Sequence, residues 1–289
     1  MRKLCLSVIL ISCMVMLSCG GTADRSQPKP LTGSVKDFER AQFDDSTHIN
    51  NRWMPLKPGT QRVYEGSAIL DGEKQRSTRR VVSTVTDLGK VIAGVQTLVI
   101  WERDYTAGEL GESEIAFFAQ DNAGNVWLLG EYPEEYENRK FVEAPVWIAG
   151  QKDARAGIAM LADPRLGRTD YSQGFAPPPA DFTDRARIYE MGQQTCTPVD
   201  CYKNVLVSEE FNPDEPGAYQ LKYYASEVGN VRVGWRGAKE EEKETLALVI
   251  QKRLSPQELA NARSEAMELD KRAYERRELY RKLQPAKPL

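Results

Sequence analysis

Histidine is almost missing from this sequence: His48 is the single one in 289 residues. Histidine-based hydrolase triads and most zinc sites need imidazole at a defined place, and one histidine in a polar N-terminal stretch argues against both. Cysteine is scarce as well. There are five, and Cys5 and Cys13 fall within the first 18 residues. Basic charge is not in excess: 39 Lys and Arg stand against 42 Asp and Glu, a formal charge of −3, the wrong sign for a general nucleic-acid binder. No glycine-rich phosphate cradle sits between a strand and a helix, since Gly157 and Gly167 are isolated. The apolar stretch over 8–17 is about ten residues long, too short to span a bilayer as a helix. With 41% hydrophobic and 28% charged residues, the chain reads as globular, neither polytopic nor disordered throughout.

What is present begins with an export signal. Arg2 and Lys3, the apolar stretch and small Ser18 before Cys19 have the order of a secretory leader over 1–18. The segment Met16-Leu17-Ser18-Cys19 resembles bacterial lipoprotein signals, with Met16 where Leu is commonest. That resemblance makes Cys19 the lipid attachment site and, with Gly20 rather than Asp next to it, implies the outer membrane. Loss of Arg2 and Lys3 takes the formal charge from −3 to −5. Cys196 and Cys201 then remain to pair in an oxidising compartment, and four intervening residues fit neither a CxxC redox pair nor the usual zinc spacing. The expected role is a disulfide that fixes a hairpin tip.

Gly20, Gly21, Ser26, Pro28 and Pro30 predict a flexible tether over 19–50. Strand-like segments follow at 62–70, 75–88, 91–104, 112–120, 125–130, 141–149, 155–160, 183–191, 202–211, 219–226, 230–236 and 243–252. They are rich in Val, Ile, Thr and aromatics and are bounded by turn residues. Ile115, Phe117 and Ala119 alternate onto one face, as antiparallel strands with one buried face require. The fold class is therefore mainly β: a large antiparallel sheet system, sandwich or partly open barrel, in one domain over 51–253. Two related halves are suggested by Phe117-Phe118-Ala119 before Gly124-Asn125-Val126 and by Tyr223-Tyr224-Ala225 before Gly229-Asn230-Val231. Over 254–289 the period changes. Ser255, Pro256 and Glu258 predict a capped helix start, and Leu259, Ala262, Ala266, Leu269, Ala273 and Tyr280 form one stripe of a long C-terminal α-helix of about 26 residues, about 40 Å at 1.5 Å per residue. It either braces the sheet or presents its stripe to a partner.

Candidate chemistry is sparse, and no catalytic residue and no cofactor site emerge. Glu102, Asp104, Glu112 and Glu114 read as acids on solvent faces of strands, although a glycosidase also draws its carboxylates from distant strands. Asp121, Asn122 and Asn125 present oxygens around a turn and supply a calcium alternative, but they lack the ligand spacing of an EF-hand; a structural turn is the default. The stretch 131–136 reads as a solvated acidic-aromatic loop. Tyr132 and Tyr136, with Leu259, Leu269 and Tyr280 of the helix, make the candidate interaction surface. Trp101, Trp127 and Trp147 fit a β-sheet core better than a cleft.

Pro55-Leu56-Lys57-Pro58-Gly59-Thr60, Ala119-Gln120-Asp121 with Gly124-Asn125-Val126-Trp127-Leu128-Leu129-Gly130-Glu131, and Lys222-Tyr223-Tyr224-Ala225 with Val228-Gly229 together resemble a family of secreted, mostly uncharacterised bacterial lipoproteins, across most of 51–236. The resemblance implies a β-rich domain and brings no catalytic residues. The resulting expectation is a noncatalytic lipoprotein held at the membrane through Cys19, which binds or supports an envelope protein partner by its sheet rim or final helix. A lipid- or carbohydrate-binding protein is the alternative. A carboxylate-based hydrolase is a third reading, and it requires a pair of acids across a substrate-sized cleft.

Overall fold

Long alternating strands separated by Gly- and Asn-containing turns build two antiparallel meanders. The computed structural model describes residues 32–69 and 75–289, so the leader over 1–18 and Cys19 lie outside the described residues. The first meander is β1 (Thr60–Ile69), β2 (Arg76–Ile92), β3 (Val95–Thr106), β4 (Glu109–Gln120) and β5 (Val126–Glu137). Short strands follow: β6 (Lys140–Glu143), β7 (Trp147–Ile148), β8 (Arg155–Met160), β9 (Tyr171–Ser172) and β10 (Gly174–Phe175). The second meander is β11 (Arg185–Cys196), β12 (Cys201–Phe211), β13 (Tyr219–Ala225), β14 (Gly229–Arg236) and β15 (Thr245–Arg253), and β16 (Lys287–Pro288) ends the chain. The aromatic pairs singled out in the two halves each precede a hairpin, β4–β5 and β13–β14. Cys196 and Cys201 are disulfide-bonded and face each other as the last register pair of the β11–β12 hairpin.

Pairing of β1 with β15 joins the meanders, and the order becomes β10, β8, β5, β4, β3, β2, β1, β15, β14, β13, β12, β11, β9. The two ends of that order are neighbours in the chain. Ser172 and Tyr171 pair with Arg185 and Ala186, while Gly174 and Phe175 pair with Ala156 and Arg155. The segment 171–175 therefore bonds both free edges, and the sheet forms a nearly closed barrel. Closure removes edges that would otherwise recruit other strands. Gly157 is what allows the close approach: a Cβ there would lie 2.1 Å from the Gly174 nitrogen and 2.2 Å from the Gln173 carbonyl carbon. Strands of two residues carry no readable period, which is why the sequence pattern does not reveal this segment.

The tether expectation needs correction for 32–50. Residues Val35–Arg40 form a short helix, α1, with a capping box at Ser34. Phe38 and Phe43 pack edge-on against Trp127, and Ser46 Oγ donates to the Gln96 carbonyl. Ile49, Trp53 and Leu56 then enter the barrel and pack with Leu98, Ile100, Val126, Met160 and Leu206. A few well-placed apolar residues bury this segment even though its composition is polar.

The C-terminal helix α2 (Pro256–Arg276) starts with the expected capping box, where Ser255 and Glu258 bond each other's backbone N–H. It runs for 21 residues and continues as a 3-10 turn, Glu278–Lys282. Ala262, Ala266, Leu269 and Ala273 press onto the outer face of the first meander, against a cluster that includes Leu88, Val99, Trp101, Ile115, Phe117 and Trp127. Their 4-3-4 spacing keeps one stripe on the sheet, and the three alanines let the helix lie close. Trp101, Trp127 and Trp147 are all buried, as core residues.

Polar anchors fix the helix. Glu134, fully buried, accepts from the Tyr132 and Tyr136 hydroxyls at 2.7 and 2.5 Å and pairs with Arg272 and Arg276 of α2 at 2.9 and 3.0 Å. Lys90 of β2, 1% exposed, donates to Asp270 at 2.9 Å, to the Tyr274 hydroxyl at 2.7 Å and to the Gln284 carbonyl at 2.8 Å. The stretch 131–136 is thus a strand that receives the helix, not a solvated loop. Tyr132, Leu269 and Tyr280 are buried, Leu259 is partly buried and Tyr136 is bonded to Glu134, so this expected interaction surface is an internal contact of the chain. The helix stripe and the strand face complete one core, which is why neither is offered to a partner.

Candidate functional site

Side chains alternate along each strand, and on the inner face of the barrel their character changes with position. In β3 the inward series is Leu98, Ile100, Glu102 and Asp104; in β4 it is Phe118, Ala116, Glu114 and Glu112. The apolar end is filled by the inserted N-terminal segment. Beyond it the barrel encloses a cavity of about 410 Å³. Its lining includes Arg62, Tyr64, Glu102, Asp104, Glu114, Phe118, Glu131, Asp184, Glu210, Lys222, Tyr224 and Glu244. Acids clearly outnumber bases on this wall.

Register sets the electrostatics. Glu102 stands directly opposite Glu114, and Asp104 opposite Glu112, so like charges face each other across β3 and β4. Arg79 of β2 pairs with Asp104 and, at 3.0 Å, with Glu244. On the facing wall Lys222 reaches Glu210 at 2.7 Å, and Gln173 donates to the other Glu210 oxygen at 3.1 Å. Glu131 accepts from the Trp147 indole at 2.9 Å. Burial pushes the Asp104 carboxyl up to about 7 against the pull of Arg79, with Glu244, Glu112 and Glu102 adding to the rise. Burial likewise takes Glu112 to about 7, helped by Glu102, Glu131 and Glu135, and Glu131 to about 7, helped by Asp184 and Glu102. Glu114 is raised well above the ordinary range by burial and then by Glu131, Glu112 and Glu102. Glu102 is raised in the same way, by burial and Glu244, against a hydrogen bond from Ser83. Lys222 is also held above its usual range: burial disfavours its charge, and neighbouring Glu210 outweighs that cost.

These acids correct the solvent-face reading of Glu102, Asp104, Glu112 and Glu114. The alternation that puts Leu98 and Ile100 inside continues without a break and takes the acids inside too. That continuity is the signal the sequence carries, because a charged side chain on a strand is not by itself proof of exposure. The calcium alternative fares differently. Asp121 accepts from the Asn125 backbone at 2.8 Å and from the Trp127 indole at 2.8 Å, Asn125 Oδ1 accepts from Ala162 N at 2.9 Å, and Asn122 bonds Asp44. The oxygens are spent on protein donors and hold a turn. Among the described residues no group of three or more His, Cys, Asp or Glu is arranged to hold a metal ion.

A stability prediction follows from the raised carboxyls. A group whose folded pKa exceeds its unfolded value contributes stability below the unfolded pKa and loses it as pH rises through the folded one. For Asp104, Glu112 and Glu131 that window runs from about 4 up to about 7. Thermal melts are expected to give a higher Tm at pH 5.5 than at pH 8, and Glu114→Gln is expected to narrow the difference. A Tm that is flat or higher at pH 8 would show that the chamber carboxyls are not raised. Glu134, which is held below the ordinary range, works in the opposite sense only in stronger acid.

No family model matches this chain, and no curated protein does. Two solved structures are similar over 70% of this chain and 99% of their own. One is a protein from Bacteroides fragilis described as exported, with a YmcC-like fold, at 12% identity and a TM-score of 0.37. The other is a protein from Parabacteroides distasonis described as a lipoprotein, at 11% identity and a TM-score of 0.40.

Proposed function

We propose that this protein is a noncatalytic lipoprotein of the bacterial envelope, anchored to the outer membrane through lipid on Cys19, whose barrel is a container for a small polar ligand. The supporting observation is the chamber of about 410 Å³ inside the barrel, in the size range of small-molecule sites, with polar groups converging from both meanders. The helix stripe is consumed inside the chain, so support of a partner assembly rests on the remaining outer wall and rim. The leader sequence carries the anchoring part of the proposal. Mass spectrometry of the mature chain tests that part, and an unacylated Cys19 overturns it.

The container part has its own test. Full-length protein in mild detergent is incubated separately with lipid, glycan and polar small-molecule extracts of envelopes, then measured by native mass spectrometry. One retained small molecule per chain is expected. Ala159 lines the chamber, and Ala159→Trp is expected to abolish retention; should that variant melt early, Leu128→Phe replaces it. Wild-type protein that retains nothing from any extract overturns the container reading. A second reading, a carboxylate-based hydrolase, is favoured by the raised acids on neighbouring strands. Turnover of glycosides by wild type and its loss in Glu131→Gln would establish it in place of the first.

A further inference from the structure

We infer that the chamber takes a short zwitterionic peptide whose carboxylate sits on Arg62, an inference that rests on the container reading above. Arg62 lines the chamber from β1 and is 7% exposed. The other buried cation of the described residues is Lys90, and Asp270 answers its charge at 2.9 Å. Arg62 has no such partner. Its hydrogen bonds run from Nη2 to the Pro55 carbonyl at 3.3 Å and the Val228 carbonyl at 2.6 Å, Nε is buried without a partner, and among the described residues it forms no ion pair. Carbonyl dipoles hold a guanidinium in place but leave its net charge uncompensated, and a buried charge calls for an opposite one. A carboxylate matches the guanidinium fork.

The surroundings fix this charge in position. Gly229 lies so close that a Cβ there would come within 3.4 Å of Arg62 Nη2 and 3.8 Å of Pro55 Cδ. Pro55 and Val228-Gly229 belong to two of the segments that resemble the secreted lipoproteins, and they meet at this guanidinium. A donor held in place before the ligand arrives loses little freedom on binding.

Register supplies the second pole. Arg62 pairs with Ser83, Ser83 with Glu102 and Glu102 with Glu114, so one row crosses β1 to β4, and all four residues line the chamber. Glu102 accepts from Ser83 and leaves Arg62 unpaired. Like charges facing each other at the acidic end of the row favour a cation there, while Arg62 favours an anion at the other end. Strands lie about 4.8 Å apart, which separates Arg62 from Glu102 by roughly 10 Å at the backbone. A free amino acid holds its opposite charges within one residue, about 3.6 Å, whereas an extended dipeptide spans about 7 Å. Side chains reaching inward close the remainder. A chamber of about 410 Å³ admits such a peptide, and Phe118 and Leu128 on the wall suit apolar side chains.

Titration calorimetry of the full chain with alanyl-leucine tests the inference, alongside its C-terminal amide, its N-acetyl form and NaCl at equal ionic strength. Saturable 1:1 binding of alanyl-leucine is expected, at least tenfold tighter than that of the amide and several-fold tighter than that of the N-acetyl form. Arg62→Met keeps the stem and removes the guanidinium, and it is expected to bring peptide and amide within twofold of each other. A guanidinium that only clamps Pro55 to Val228 would leave their ratio unchanged. Should thermal melts show that variant unfolded, Arg62→Lys replaces it, and the ratio is expected to fall several-fold because the fork is lost. Alanyl-leucine heats no larger than those of the salt control, equal binding of peptide and amide by wild type, or an unchanged ratio in a folded variant overturns the inference. If the chamber instead retains a molecule without an anionic group from an extract, and Ala159→Trp releases it, the ligand class falls while the container stands. Failure of both experiments removes the container as well.

Discussion

Replacing Asp270 by Ala is expected to lower stability by about 3–5 kcal/mol, the range for removing one partner of a buried ion pair. Three groups lose their acceptor at once. Asp270 Oδ1 takes bonds from Lys90 and from the Tyr280 hydroxyl, at 2.9 and 2.6 Å, and Oδ2 takes one from Ala286 N at 3.0 Å. Burial already depresses the Lys90 pKa, with Asp270 opposing that effect, so without the carboxylate the lysine is expected to shed its proton. For a chain of this size the corresponding fall in Tm is roughly 10 °C. Circular dichroism melts measure it, and a change below about 2 °C would mean that the helix is held without this pair. Lys90→Met combined with Asp270→Leu is expected to recover part of the loss, because an apolar pair of similar volume leaves no stranded charge.

The second large effect is expected at Gly157. An added Cβ meets backbone atoms of residues 172–174 at 2.1 to 2.6 Å, and backbone cannot rotate away as a side chain can. Gly157→Ala should therefore reach or exceed the upper end of ordinary overpacking, about 3 kcal/mol. It should also raise hydrogen exchange in segment 171–175 before other strands respond. Gly111→Ala is the control, since its Cβ would find only the Asp104 carbonyl oxygen at 3.8 Å. Equal melting of the two variants would show that the seam is not tightly closed.

The fold was legible wherever period and capping were strong. Alternation located the long strands, and Ser255 with Glu258 marked the start of α2. A nearly closed barrel was not separable from a sandwich, because closure depends on the four residues of β9 and β10, too few to carry alternation. Which strand the helix braces is hidden for a related reason. Glu134, Tyr132 and Tyr136 look like a wet loop when counted by charge, yet the two arginines of α2 and two tyrosine hydroxyls satisfy one buried carboxylate. The chamber is hidden for the same physical reason, since the charged Glu102 and Glu114 lie in phase with buried Ile100 and half-buried Phe118.

The N-terminal chain reaches the barrel at its seam. Ser172 N donates to the Thr32 carbonyl at 2.9 Å, and Gly33 lies against the same residue, where an added Cβ would come within 2.3 Å of its carbonyl oxygen. Tension arriving along residues before Thr32 is therefore delivered to a latch of two register pairs on each side, long before it is felt by the meander ladders.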